Sequence, residues 1–240
     1  MQFLLNVGAE KSGTTWLHNY FKEHPQFHDI GKELNAIQRD DLVPSFAPDF
    51  GYRACISAYF SHISKLNKTT GDFTHYEGST ENVYRLLKSG LGQYDIDVVP
   101  VYIMRDPIKR AWSAWNMLAG GYDFDMPPPA FQLTVNYLQC KYKETIEALD
   151  NVFSNPLYFF YEDFFRQEHV DLICNELEIP NHPVNNTPIN KGSYDSEVPE
   201  DFVTKFCMTS KTRDAVHFVF ERFSNAPWNI EDYTKFEVKA

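Results

Sequence analysis

The chain has 240 residues, 43% of them hydrophobic and 16% aromatic, and its formal net charge is −11. This length suits one α/β domain over residues 1–240, which can bury about 70–75% of its unfolded surface without disulfide staples. The negative charge argues against a nucleic-acid binder and mildly against a polyanionic acceptor.

Cysteine content and hydropathy favour a soluble cytoplasmic protein with no membrane partner. The four cysteines form no C-x-x-C pair and no zinc-like cluster with histidine, so we expect buried free thiols. No apolar run approaches the length of a membrane span. The first predicted strand begins almost at Met1, so we expect no signal peptide or anchor in an intracellular protein, the alternative being a domain trimmed from a longer chain.

A strand, a glycine-bounded loop and a helix open the chain. The apolar run at residues 3–7 predicts a buried strand, and apolar spacing after Thr14 predicts a helix. The loop between them runs from Gly8 to Gly13. Loop amides and the first turn of such a helix favour a bound anion, and glycine permits close approach. The pattern therefore predicts a phosphate-binding loop.

The loop differs from a Walker A motif in the position of its lysine. Walker A places lysine directly after the second glycine, whereas here Lys11 lies inside the loop. The segment KSGTTWL, residues 11–17, resembles the phosphosulfate-binding loop of sulfotransferases that use 3′-phosphoadenosine 5′-phosphosulfate (PAPS). The resemblance implies that Lys11 stabilises the leaving phosphate. It also implies nucleotide contacts from Lys11, Ser12, Gly13, Thr14, Thr15 and Trp16, although Trp16 equally suits a core helix position.

Two residues are candidates for the general base. Lys32-Glu33 resembles a Lys-Glu pair of Golgi-type and many bacterial sulfotransferases, in which the glutamate takes the acceptor's proton. The alternative for Glu33 is a solvated loop pair. His75 stands where relatives have a proline, and Phe73 where they have a lysine. His75 is therefore a second candidate for acid/base work, although a lone loop histidine more often has a structural role.

A second motif, R-D-P-x-x-R-x-x-S, occupies residues 105–113. Arg105 follows a predicted strand, and Asp106 and Pro107 suit the start of a helix. An arginine fork with a hydroxyl suits a phosphate monoester. In the family that the sequence resembles, this motif binds the 3′-phosphate through its first arginine and its serine, here Arg105 and Ser113. We interpret Arg110 as structural.

The remaining elements alternate between strands and helices. Lys191-Gly192, in a polar loop, resembles a basic residue and glycine that close over the 3′-phosphate, or is an ordinary glycine turn. The alternation predicts an α/β fold with a mostly parallel sheet, in which both motifs lie at one edge. Further strands are predicted at residues 27–30, 69–74, 98–104 and 157–161, and helices at 53–66, 81–88, 130–153, 169–177 and 199–223.

The resemblance implies a PAPS-dependent sulfotransferase of P-loop-like fold. It would transfer a sulfuryl group to a hydroxyl or amine of a small-molecule or glycan acceptor, without a metal, and release 3′-phosphoadenosine 5′-phosphate (PAP). The alternatives are a catalytically silent relative that binds PAP or PAPS, and a variant P-loop kinase. The kinase requires a magnesium-binding aspartate, and no acidic strand end is evident. The sequence specifies neither a particular acceptor nor an oligomeric state.

Overall fold

A five-stranded parallel sheet forms the centre of the computed structural model. The structure describes residues 1–32, 52–119, 140–184, 198–203 and 210–234. The strand order is β2-β3-β1-β4-β5, which confirms the predicted α/β class. The strands are β1 (Gln2–Gly8), β2 (Phe27–His28), β3 (Thr69–Asp72), β4 (Asp97–Met104) and β5 (Leu157–Phe160).

Helices cover both faces of this sheet. Those of the first half are α1 (Thr14–Glu23), α2 (Tyr52–Ser64), α3 (Glu81–Gly92) and α4 (Pro107–Ala119). The others are α5 (Tyr142–Val152), α6 (Tyr161–Phe164), α7 (Gln167–Glu176), α8 (Glu200–Phe202), α9 (Ser210–Arg222) and α10 (Glu231–Thr234). Within the described ranges, no helix is both long and apolar enough to cross a membrane.

Strand β1 is apolar on both of its faces because helices cover both sides. Phe3, Leu5 and Val7 belong to one core cluster, which includes residues of α3 and α5. Leu4 belongs to a second cluster with residues of α1 and α7. A parallel strand that is buried on both faces reads as a continuous hydrophobic run. Cys140 and Cys174 are buried free thiols, as predicted. The side chains at positions 55 and 207 are not among those that the structure describes.

The predicted end of α3 was wrong. The sequence predicts a helix over residues 81–88, but the helix runs on through Gly90 to Gly92. A Cβ atom on Gly90 would lie 1.9 Å from Cε2 of Phe60, a residue of α2. The glycine therefore permits close packing of two helices rather than ending one.

Pro100 is the fourth residue of β4. It pairs with Leu5 of β1, whereas the pairing of β4 with β5 begins only at Val101. At Pro100 the strand therefore has a neighbour on one side only, and a residue without an N–H group is tolerated there.

Candidate active site

The two predicted motifs meet at the carboxyl ends of the adjacent strands β1 and β4. Arg105 Nη1 donates a 2.8 Å hydrogen bond to the carbonyl oxygen of Lys11. Arg110 Nε donates one of 2.8 Å to the carbonyl oxygen of Glu10. Arginines of the second motif thus bind two successive carbonyls of the loop, and the predicted common edge is confirmed for these side chains.

The loop has a backbone that requires glycine at position 13. Gly13 has a φ of 84° and precedes α1, and Lys11 also adopts a positive φ, of 64°. A Cβ atom on Gly13 would lie 2.9 Å from Cζ of Phe165. The Phe165 ring also packs on Trp16 and Tyr161, with centroid distances of 5.1 and 5.0 Å.

The start of α1 has backbone N–H groups that are available to an anion at the loop. No side chain among the described residues caps this helix, so its first N–H groups keep their capacity for an anion. Ser12 is fully buried, and its hydroxyl has no hydrogen-bond partner in the described part of the chain. Thr14 is buried and Thr15 half-buried in the first turn. These positions are the ones that the loop motif predicted for an anion.

Three cationic side chains gather at the loop. Lys11 Nζ contacts the thioether Sδ of Met117, on α4, at 3.3 Å. Lys32 Nζ donates a 2.8 Å hydrogen bond to Thr15 Oγ1. Burial lowers the pKa of Lys11, and the positive charges of Arg105 and Lys32 lower it further, against an opposing effect of Glu10. Like charges concentrated in this way favour a bound anion.

The guanidinium of Arg105 lies over an aromatic ring. Its Cζ is 4.2 Å from the centroid of Tyr161. Its Nε is buried and has no hydrogen-bond partner among the described residues. Ser113 follows Arg110 by three residues on α4 and precedes Met117 by four, and both of those residues contact the loop. Helix periodicity therefore places Ser113 on the face of α4 that is turned to the loop.

The other predicted site residues differ in how far the structure describes them. Trp16 is 7% exposed and packs edge-on against Phe164 and Phe165, so its stacking on adenine stays a prediction. His75 is half-buried beside Tyr76, whose N–H donates to the carbonyl oxygen of Val7 at 2.9 Å. His75 thus lies close to the start of the loop. Glu33, Lys191 and Gly192 lie outside the described residues.

One strand of the sheet ends in an acidic residue that was not predicted. Asp72 ends β3 next to β1, but it is fully buried. Its Oδ1 accepts a hydrogen bond from the N–H of Thr74, and its Oδ2 accepts from the hydroxyls of Tyr59 and Tyr76. These contacts make it a structural carboxylate. In the described segments, no group of three or more histidines, cysteines, aspartates or glutamates is arranged to hold a metal ion.

Glu77, Met117 and Lys32 were not predicted as site residues. Glu77 forms a buried ion pair with Arg110, and Met117 contacts the loop lysine. Neither contact follows from local spacing, because each joins distant segments of the chain. Lys32 belongs to the predicted Lys-Glu motif, in which only Glu33 was assigned a role. That motif is the sequence feature from which Lys32 could have been predicted.

Comparison with known proteins identifies the fold. No family model and no curated protein sequence matches this chain. A sulfotransferase from Alicyclobacillus acidocaldarius superimposes with a TM-score of 0.58 at 17% identity, over 91% of each chain. The sulfotransferase domain of the Synechococcus PCC 7002 olefin synthase gives a TM-score of 0.53 at 13% identity, over 98% of this chain and 92% of that one.

A third solved structure agrees with these two. The sulfotransferase domain from the curacin biosynthetic pathway gives a TM-score of 0.50 at 12% identity, over 76% of this chain and 75% of that one. The chain therefore has the fold of sulfotransferases. This confirms, at the level of fold, the resemblance that the loop and the second motif indicated.

Proposed function

We propose that this protein transfers a sulfuryl group from PAPS to a hydroxyl or amine acceptor and releases PAP. The observation that carries the proposal is that Lys11, Lys32 and Arg105 lie together at a loop with unsatisfied hydrogen-bond donors. Ser12 Oγ and Arg105 Nε are buried without a partner among the described residues, which is costly unless a ligand satisfies them. The sulfotransferase fold supports this reading.

The residues present fit a nucleotide that carries phosphate at both the 5′ and the 3′ position of its ribose. The loop amides, Ser12 and the first turn of α1 would bind the 5′-phosphosulfate. Arg105 and Ser113, on the neighbouring strand end and helix, would bind the 3′-phosphate. Charge-assisted hydrogen bonds of this kind contribute about 1.5–3 kcal/mol each. Closure by Lys191 and Gly192 over the 3′-phosphate is part of the proposal.

Transfer breaks the bond between sulfur and the bridging phosphate oxygen while the acceptor oxygen or nitrogen bonds to sulfur. Lys11 would neutralise the charge that develops on the departing phosphate oxygen, an interaction strongest in the transition state. Glu33 would accept the acceptor's proton, with His75 as the alternative base. The scheme assigns no step to a metal ion.

Thermal unfolding with two nucleotides tests the nucleotide assignment. PAP should raise the melting temperature far more than adenosine 5′-phosphate, because only PAP engages Arg105 and Ser113. At about 100 times its dissociation constant it should stabilise the fold by about 2.7 kcal/mol. Ser113→Ala should narrow the difference between the two nucleotides. Equal shifts from both nucleotides in the wild type would contradict the assignment.

An acceptor screen with radiolabelled PAPS, followed by mass spectrometry of the product, tests transfer itself. We expect turnover to persist in excess chelator, and its loss there would contradict the metal-free scheme.

A second candidate function is nucleotide binding without transfer. Phe73, which replaces a lysine of the relatives, is fully buried, with its ring 4.9 Å from that of His18 and 6.2 Å from that of Phe27. No cation is therefore supplied from this position. Tight PAP binding with no labelled product from any acceptor would favour this function over catalysis.

A further inference from the structure

Arg110 and Glu77 form a buried ion pair beside the loop. Their side chains are 4% and 9% exposed. Arg110 Nη1 donates to Glu77 Oε1 at 2.7 Å, and Nη2 donates to Oε2 of the same carboxylate. A buried ion pair is weak evidence for stability, because desolvation offsets much of the attraction. The role of the pair is therefore to position other groups more than to stabilise the fold.

The pair holds the backbone on one side of Lys11. With two guanidinium nitrogens bound to Glu77, Nε of Arg110 donates to the Glu10 carbonyl, and Arg105 Nη1 binds the Lys11 carbonyl. The peptide groups before and after Lys11 are thus both fixed by guanidinium groups. Lys11 has a φ of 64° between them, in the left-handed region that is strained for a non-glycine residue. The fixed backbone sets the direction in which the Lys11 side chain leaves the loop.

Glu77 is itself anchored to the sheet. The hydroxyl of Tyr102, on β4, donates to Glu77 Oε1 at 3.0 Å. The next residue, Gly78, donates its N–H to Thr145 Oγ1 at 2.9 Å. A continuous chain of contacts therefore runs from strand β4 through Glu77 and Arg110 to the loop.

We propose that Arg110, held by Glu77, is a positioning residue that fixes the conformation of Lys11 and so aims its ammonium group. The identity of the anion at which Lys11 is aimed rests on the proposed function. The positioning itself does not, because every contact in it joins two groups of the protein.

The test uses two variants of the full chain. Glu77→Leu combined with Arg110→Met removes both charges together, so no uncompensated buried charge is left and the fold should survive. Arg110→Lys keeps the charge pair, but one ammonium group cannot reproduce the three-nitrogen bridge to Glu77 and Glu10. Arg85→Met, which breaks an exposed pair with Glu81 on α3, is the matched control.

The first readout is the pKa of Lys11 in the nucleotide-free protein, followed by NMR of methylated lysines and assigned with Lys11→Met. In both test variants the pKa should rise toward 10.5, its ordinary value, because a loosened side chain escapes burial and the neighbouring cations. The control should leave it unchanged. An unchanged pKa in both test variants would overturn the proposal, whichever nucleotide the protein binds.

The second readout separates positioning from the proposed function. If PAP binds the wild type, both variants should bind it at least tenfold more weakly and lose at least a hundredfold in kcat, with the acceptor KM little altered. Variants that match the wild type in PAP affinity and kcat would overturn the positioning role. A wild type that does not bind PAP would refute the proposed function, while the pKa readout would still decide the role of Arg110. If the double variant does not fold, Arg110→Lys alone tests the positioning role of Arg110.

Discussion

The charge of Lys11 destabilises the fold of the ligand-free protein. Burial, Arg105 and Lys32 together disfavour its charged form more than Glu10 favours it, and its ammonium group contacts a thioether sulfur, a weak acceptor. A binding site for an anion needs such unsatisfied charge, and a stable free protein does not. The residue that we assign to catalysis should therefore be one that destabilises the ligand-free fold.

Replacing this residue should separate activity from stability. Lys11→Met removes the charge but keeps most of the side-chain length and the same backbone strain, so it should raise the melting temperature of the ligand-free protein. The same change should lower kcat by about 10²–10³, or more, since one charge-stabilising group is lost. Thermal unfolding and the radiolabelled PAPS assay measure the two effects.

The pH dependence of that stability gain has a definite sign. The pKa of Lys11 is lowered in the folded state, so the cost of its charge is present at neutral pH and disappears as pH rises through the lowered pKa toward 10.5. The advantage of the Met variant should therefore shrink between neutral pH and about 10.5. A variant that is less stable than the wild type at pH 7 would contradict this account.

Single site residues were predictable where they belong to a contiguous motif. Lys11, Arg105 and Arg110 each lie in a segment with recognisable spacing, and the structure brings them together. Glu77 could not be predicted, because it lies 33 residues before Arg110 and their pairing depends on how two crossovers pack. Arg110 was correctly interpreted as structural, but its hydrogen bond to the Glu10 carbonyl could not be predicted from the sequence.

At the scale of elements, strand β1 and helix α1 were predicted well because hydrophobic period and glycine placement agree there. The end of α3 was mispredicted because tertiary packing overrode glycine's low helix propensity. Phe60 of α2 occupies the space that a side chain on Gly90 would need. A single sequence does not reveal which glycine ends a helix and which admits a neighbour.

Two glycines of α3 provide a matched test of this explanation. Gly90→Ala should destabilise the fold by about 1–3 kcal/mol, because the added methyl group overlaps the Phe60 ring. Gly92→Ala meets no atom within 4 Å and should stabilise by about 0.4–1 kcal/mol. Urea unfolding measures both, and PAP affinity should be unchanged in each. Equal effects of the two substitutions would refute the role given to Phe60.

The whole molecule combines a cationic site with a net charge of −11. The cations Lys11, Lys32 and Arg105 would act on the anion that we propose over a few ångströms, whereas the excess negative charge acts over longer distances. Salt screens the longer-range effect, since the Debye length falls from about 30 Å at 0.01 M to about 10 Å at 0.1 M. The molecule should therefore repel an anionic acceptor before contact, and salt should relieve that repulsion.

Acceptor kinetics at two salt concentrations test this charge balance. The KM of an anionic acceptor should fall as ionic strength rises from about 0.01 to 0.1 M, while that of a neutral acceptor changes little. A KM that rises with salt for the anionic acceptor would instead indicate a basic acceptor-binding surface. Such a surface would have to outweigh the charge of the rest of the chain.

The ring of Phe165 ties the two halves of the site to each other. It fills the space beside Gly13, packs on Trp16, and supports the Tyr161 ring on which Arg105 lies. A smaller side chain here would open room at the loop and at the same time withdraw the support beneath the arginine. A substitution at this position that is meant to alter contacts of the Gly13 loop will therefore also disturb Arg105, and with it the other end of the nucleotide that we propose.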